Sequence, residues 1–194
     1  MIDGPNNGRP PSGSVSVARP ERCSCVSDVD AGYGGLARVH ARCGDGGSSV
    51  TTTKMTMDAP AEAVWAVLAD ACLYADWVVG AKDVRTVEPG WPDAGTHFEH
   101  TVGVGPFTVH DNTKSLSADP PHRLVMEARA RPLGRAQIAM VMTTTSSATE
   151  VTMSEHVVSP ALFRWLNPLL GPAIRARNEE SLRRLARLVA PIGA

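Results

Sequence analysis

The feature that most constrains this chain is an alternation of apolar and polar residues, with a period of two, in six successive segments. Side chains on a β-strand point in turn to the two faces of a sheet, so the alternation predicts strands with one apolar and one polar face. Short turns between the segments favour antiparallel neighbours. The predicted strands cover residues 82–88, 95–103, 106–115, 122–131, 135–145 and 149–158, and a β-rich segment at 50–57 precedes them.

The first hairpin turn predicts which residues of two neighbouring strands face each other. A two-residue loop at Val104-Gly105 places Val102 opposite Phe107. In the same register, His100 and Asp111 lie on a diagonal across the hairpin, a separation that long side chains can bridge.

Two later hairpins predict the remaining registers and give the same apolar face. A loop at 131–135 pairs Met126 with Met140, and a tight turn further on pairs Ile138 with Glu155. A sheet with one apolar face is typical of an antiparallel arrangement with solvent on its other side. The predicted apolar face consists of Phe98, Val102, Phe107, Val109, Leu124, Met126, Ala128, Ile138, Met140, Met142, Val151, Met153 and Val157.

Helical segments complete the pattern. Asp58 is placed to cap a short helix whose first turn holds Pro60, and a second short helix covers residues 72–77. After the last strand the chain predicts a long helix, in which Pro168 and Pro172 break or restart the first turns. Its apolar stripe holds Ile174, Leu182, Leu185, Leu188 and Val189, and its solvated faces hold Arg175, Arg177, Arg183, Arg184 and Arg187.

This order of elements predicts an α+β fold. A curved antiparallel sheet would bury its apolar face against the long C-terminal helix, with the two short helices after the first strand. The folded domain is expected at residues 50–190. Residues 1–49 are rich in glycine, proline and serine and have no sustained period, so they are expected to be a disordered extension.

Charge and composition exclude several functional classes. The net charge is −1, which gives no electrostatic reason to expect nucleic acid as a partner. The uncharged stretches are too short to cross a bilayer, so integral membrane association is not expected. No secretory signal is recognised, and Cys72 is the only cysteine beyond the N-terminal segment, so a cytoplasmic location is predicted. No metal or cofactor motif is found, and neither group is predicted.

Several phrases of the sequence resemble the SRPBCC superfamily, the START-like and polyketide-cyclase proteins with a helix-grip fold. These phrases are MDAPAEAVW at 57–65, YADW at 74–77, DVR at 83–85, DPPHRL at 119–124 and TEVTMSE at 149–155. The resemblance covers nearly all of residues 50–190. It indicates a fold more than a reaction, because such proteins include ligand carriers and enzymes.

The resemblance implies a cavity between the curved sheet and the long helix that holds a small hydrophobic molecule such as a lipid, polyketide or quinone. Methionines would give the cavity an adaptable lining. In a solid core the same residues would only pack together. The expected ligand-binding residues are Phe98, Val102, Phe107, Val109, Leu124, Met126, Ile138, Met140, Met142, Val151 and Met153, with Trp165 as a gate.

Three ionisable residues fall on the apolar face and are candidates for chemistry. They are His100, Asp111 and Glu155. A histidine beside a carboxylate is a plausible general base, and with a second acid it would serve a polyketide cyclase or dehydratase. The alternative is that these groups satisfy one another as a structural network. A protein-interaction module, in which the groove takes a partner's apolar segment, is the third possibility, and the oligomeric state is open.

Overall fold

The computed structural model describes residues 50–104, 107–130, 134–158 and 167–190, without the side chains of 104, 130, 158 and 167–170. The predicted N-terminal extension and the predicted gate Trp165 lie outside the described residues.

Seven antiparallel strands form one sheet, and the predicted α+β fold is confirmed. The strands are β1 (Val50–Met57), β2 (Ala81–Val87), β3 (His97–Val104), β4 (Phe107–Asp119), β5 (Arg123–Ala130), β6 (Gly134–Thr144) and β7 (Thr149–Val158). Their order in the sheet is β1-β7-β6-β5-β4-β3-β2, so consecutive strands from β2 to β7 are neighbours and β1 pairs with β7.

The helices lie where the sequence predicted them, with two local differences. They are α1 (Ala61–Ala69), a 3₁₀ turn (Ala71–Leu73), α2 (Tyr74–Trp77) and α3 (Asn167–Val189). Pro60, with extended backbone, occupies the N-cap of α1 and no side chain caps the helix, so Asp58 lies too far upstream to do so. Pro172 lies within α3 without ending it. Because proline has no backbone N–H, the helix lacks one backbone hydrogen-bond donor near its N-terminal end.

The strand registers agree with the prediction in one hairpin and differ by two residues in two others. Ile138 pairs with Glu155 as predicted. In the β3–β4 hairpin, Val102 pairs with Val109 instead of Phe107, because Val104 still belongs to the ladder, paired with Phe107, and the turn comes one residue later than predicted. In the β5–β6 hairpin, Met126 pairs with Ile138 instead of Met140. A shift of two residues keeps every side chain on its face, so the predicted apolar face survives both errors.

The core lies between this face and the helices. Phe98, Leu124, Met140 and Val151 have no exposed surface, and α1, α2 and α3 contribute further buried apolar residues. The expectation of burial fails at the tip of the β3–β4 hairpin, where 82% of Phe107 is exposed.

Two further observations concern residues outside the sheet. Cys72 is buried and disulfide-bonded, which the spacing of the cysteines did not predict. Among the described helices, none is both long and apolar enough to cross a membrane.

The two faces of β6 offer a direct test of the core assignment. Met140→Ala should lower the free energy of unfolding by about 2–5 kcal/mol, because it leaves a cavity in packed surroundings. Val141→Ala, on the same strand but facing out, should change it by no more than about 0.5 kcal/mol. Urea denaturation of both variants measures the difference, and equal effects would contradict the assignment.

Candidate functional site

Several polar side chains interrupt the apolar face of the sheet and are almost completely buried, and four of them form the candidate site. His100 on β3, Asp111 and Thr113 on β4, and Glu155 on β7 are each at most 3% exposed. The strand registers place all four on the face that carries Phe98. Buried polar groups need partners to offset their lost hydration, and those partners define the site.

His100 and Asp111 lie directly opposite each other on β3 and β4. The sequence placed them on a diagonal, and the two-residue difference in register makes them cross-strand neighbours. The Asp111 carboxylate acts electrostatically on the imidazole. The structure therefore brings these two predicted residues together.

Thr113 joins His100 to Tyr74 of α2. The Nε2 atom of His100 and the Oγ1 atom of Thr113 are 2.9 Å apart, and the same threonine acts on the hydroxyl group of Tyr74, where it lowers the pKa against the larger effect of burial. The tyrosine and histidine rings lie beside each other, with 5.1 Å between their centroids. Burial raises the pKa of Tyr74, so its phenol stays protonated at neutral pH.

Glu155 is held by two neighbouring residues of α3. The guanidinium of Arg177 donates to its Oε2 atom at 2.7 Å, and the side-chain amide of Asn178 donates to the same oxygen at 2.8 Å. Arg177 also donates to the Oδ1 atom of Asn178 at 3.0 Å. Arg177 was predicted to belong to a solvated face, and 39% of its side chain is exposed, but its cationic group also reaches the buried carboxylate.

Tyr74 brings the two parts of the site into one cluster. Arg177, Glu155 and Asp111 all act electrostatically on its hydroxyl group. We call the set Tyr74, His100, Asp111, Thr113, Glu155, Arg177 and Asn178 the polar cluster.

Sequence patterns missed four members of the polar cluster. Thr113 lies two residues after Asp111 on β4 and therefore on the same face of the sheet, so the alternation along the strand could have identified it. Asn178 lies one helical turn before Leu182 in the buried stripe, which was a second available signal. Tyr74 and Arg177 had no such signal, because their partners are distant in the sequence.

His100 stays neutral because burial outweighs its charged neighbours. Loss of hydration lowers its pKa from 6.5 to about 4, Asp111 opposes this shift, and Arg85 adds to it. Its Nδ1 atom is buried and has no hydrogen-bond partner. The histidine therefore presents one unsatisfied nitrogen in an uncharged ring.

The apolar residues around the polar cluster differ at its two ends. Towards α1 and α2 the face is closed, and six predicted ligand-binding residues there are buried. These are Phe98, Leu124, Met126, Met140, Met142 and Met153, with Val151 and Ile138 buried beside them. Towards the hairpin tips, which we call the open end, burial is less complete: Val102, Ala128 and Val157 are half-buried, and Val109 is 39% exposed. Ala136, which pairs with Ala128 and Val157, is buried.

A separate open cleft of about 520 Å³ lies between β1 and α3. Thr51, Thr52, Pro172, Arg175 and Glu179 contribute to its lining, and no member of the polar cluster does. We therefore do not place the candidate site in this cleft. Among the described residues, no group of three histidine, cysteine or acidic side chains is arranged to hold a metal ion.

Residues 49–190 match the family described as polyketide cyclase/dehydrase and lipid transport. The chain belongs to this family. The family and the fold together place it in the SRPBCC superfamily, as the sequence phrases indicated. Among curated proteins, no significant sequence match is found.

Solved structures of low sequence identity share the fold. A Thermus thermophilus protein, TTHA0849, is 15% identical with a TM-score of 0.59, over 73% of this chain and 97% of its own. Ara h 8.0201 is 12% identical with a TM-score of 0.61, over 74% and 98% of the two chains. The di-domain ARO/CYC protein BexL, from the BE-7585A biosynthetic pathway, is 15% identical with a TM-score of 0.56, over 73% and 48%. At these identities the similarity establishes the helix-grip fold alone.

The bond between α3 and Glu155 predicts a stability effect that distinguishes two arginines of one helix. Arg177→Met should lower the free energy of unfolding by about 1–3 kcal/mol, because it removes a donor from a buried carboxylate. Arg183→Met removes only exposed ion pairs with Glu179 and Glu180 and should cost no more than about 0.5 kcal/mol. Equal losses in chemical denaturation would show that Glu155 does not depend on Arg177.

The lowered pKa of His100 predicts a loss of stability in acid. Between pH 6.5 and about 4 the unfolded chain binds a proton that the folded chain refuses, so stability falls as the pH is lowered through this window. The expected loss is on the order of 3 kcal/mol. His100→Phe should remove this part of the pH dependence, and the difference between the two proteins in urea denaturation at several pH values measures it. Parallel pH profiles would refute the assignment.

Proposed function

We propose that the protein binds a small apolar molecule between the sheet and α3, at the open end of the apolar face. The main support for this proposal is the position of the polar cluster. It separates the buried end of the sheet's apolar face from the end that is partly exposed. A ligand entering from the hairpin tips would first contact Val102, Val109 and Ala128. It would then meet the polar cluster, which would orient it, as a few polar groups do in other apolar sites.

The placement of α3 supports this proposal. The described part of the helix packs mainly against β1, α1 and α2, and makes no comparable backbone contact with β3, β4 or β5. The side chain of Tyr74 contacts Phe98 and His100 of β3 there, while Arg177 reaches Glu155 of β7. The family, whose description includes lipid transport and polyketide cyclisation, supports the same ligand class.

An enzymatic role is the second candidate, and His100 is the observation that favours it. In the tautomer that carries its proton on Nε2, the neutral ring with an unpartnered Nδ1 atom has the form required of a general base. A base whose pKa is about 4, however, removes protons from carbon weakly near neutral pH. We therefore favour ligand binding over cyclisation or dehydration as the function. Turnover of a poly-β-ketone substrate that His100→Phe abolishes, while binding remains, would reverse this order.

The cytoplasmic location remains a prediction. The disulfide bond at Cys72 is a feature more typical of oxidising compartments. A thiol count on protein taken from cells under alkylating conditions would decide the matter, because a cytoplasmic protein should retain this cysteine in reduced form.

Filling the open end tests the proposed function. We expect the full chain to bind the fluorescent apolar probe 1-aminoanthracene, and Ala128→Trp to weaken that binding at least tenfold, because the indole would occupy the ligand's space. Fluorescence titration measures both.

The matched control is Arg129→Trp, which adds the same side chain on the opposite face of β5. It should leave the affinity within about twofold of the original. Equal effects of the two substitutions, or no binding by the unmodified chain, would refute the proposed site. Native mass spectrometry with organic extraction of the protein from its own cells would then identify the natural ligand class.

A further inference from the structure

The Nδ1 atom of His100 is the feature of the polar cluster that most restricts what a ligand presents to it. This atom is buried without a hydrogen-bond partner, while the Nε2 atom of the same ring is bonded to Thr113. A buried polar atom without a partner costs about 1–3 kcal/mol. A ligand group that hydrogen-bonds Nδ1 would recover this free energy.

The two tautomers of a neutral imidazole make different demands on that group. If the proton is on Nδ1, the ligand must accept a hydrogen bond, and if it is on Nε2, the ligand must donate one. A hydroxyl group does either. A carboxylate only accepts and an ammonium only donates, so each fits one tautomer alone.

The charges around His100 also disfavour an ionised ligand. The carboxylates of Asp111 and Asp83 act on His100 and would repel an anion, and the guanidinium of Arg85 opposes them only in part. The guanidinium of Arg177 is already bonded to Glu155 and Asn178. A cation would face the penalty that the imidazolium itself faces, because burial lowers the pKa of His100 despite the opposing effect of Asp111.

The position of His100 makes it one of the first polar groups that a ligand would reach from the open end. Val102 and Val109 lie beside His100 and Asp111 on the same face, nearer the hairpin tip; Val102 is half-buried and Val109 is exposed. An apolar body would therefore lie against these valines with its polar atom next to His100.

From this geometry we infer that the ligand carries an uncharged hydroxyl group, as an alcohol or a phenol, that hydrogen-bonds the Nδ1 atom of His100. The inference rests on the proposed function and narrows it. Fatty acids and amines of equal size are then poor ligands.

A set of probes with one apolar body and different polar groups tests the inference. The probes are 2-naphthol, 2-methylnaphthalene, 2-naphthoate and 2-naphthylmethylammonium, each competing with 1-aminoanthracene for the full chain at pH 7. We expect 2-naphthol to bind about tenfold more tightly than the other three, the effect of roughly one hydrogen bond in an apolar site.

Two substitutions tie the preference to the histidine. His100→Phe should bring 2-naphthol down to the affinity of 2-methylnaphthalene. His100→Asn should retain most of the preference, because its amide has a polar atom at the δ position and accepts or donates as it rotates. Thermal unfolding of both variants verifies that they are folded.

The outcomes separate the two proposals. If 1-aminoanthracene and the probes bind but 2-naphthol has no advantage, the hydroxyl inference is wrong and the binding function stands. Tightest binding of 2-naphthoate or the ammonium probe would overturn the inference in the same way. If neither 1-aminoanthracene nor any probe binds, the proposed function itself fails. Binding measurements on the unmodified chain are enough to distinguish these outcomes, even if a variant does not fold.

Discussion

The contact between Glu155 of β7 and two residues of α3 sets how the long helix meets the sheet. A carboxylate this deeply buried must be compensated, and Arg177 and Asn178 both donate to the same oxygen of Glu155. With Asn178 facing inward, Leu182 and Leu185 follow on the same side of the helix, one and two turns later. The rotation of α3 about its axis is therefore fixed by a polar contact as well as by its apolar stripe.

Most of the fold could be predicted because its main constraint is local. Alternation along each strand decides which side chains face the core, and a two-residue error in register leaves that decision unchanged. The face that carries Phe98, Leu124 and Met140 was predicted correctly for this reason, although two of three registers were wrong. Burial at the hairpin tip was not predictable in the same way. Alternation along the strand assigns Phe107 to the apolar face. It does not predict how far along that face the helices cover the sheet.

The candidate site was predictable only in the part that lies on the sheet. His100, Asp111 and Glu155 stood out because ionisable residues are unusual at apolar positions of an alternating strand. Tyr74 and Arg177 belong to helices, and their partners are tens of residues away in the sequence. A helical arginine beside several others has the pattern of a solvated face. It becomes part of a buried network only when a strand of the sheet places a carboxylate within reach of its guanidinium. The local sequence around the arginine contains no sign of that contact.

The polar cluster also bears on whether this region serves stability or function. Replacing a buried ion pair by well-packed apolar residues is often neutral or stabilising, so seven polar or charged residues are a poor choice for holding a sheet to a helix. Glu155 and Arg177 compensate each other, and Thr113 joins His100 to Tyr74. The unpartnered Nδ1 atom of His100 is the exception. A network built for stability alone would satisfy that atom, whereas a binding site leaves a position for an atom of its ligand. His100 is followed on the same face by Val102 and Val109, which are less buried than the rest of that face. The unsatisfied nitrogen beside them is the physical reason to assign this network to recognition.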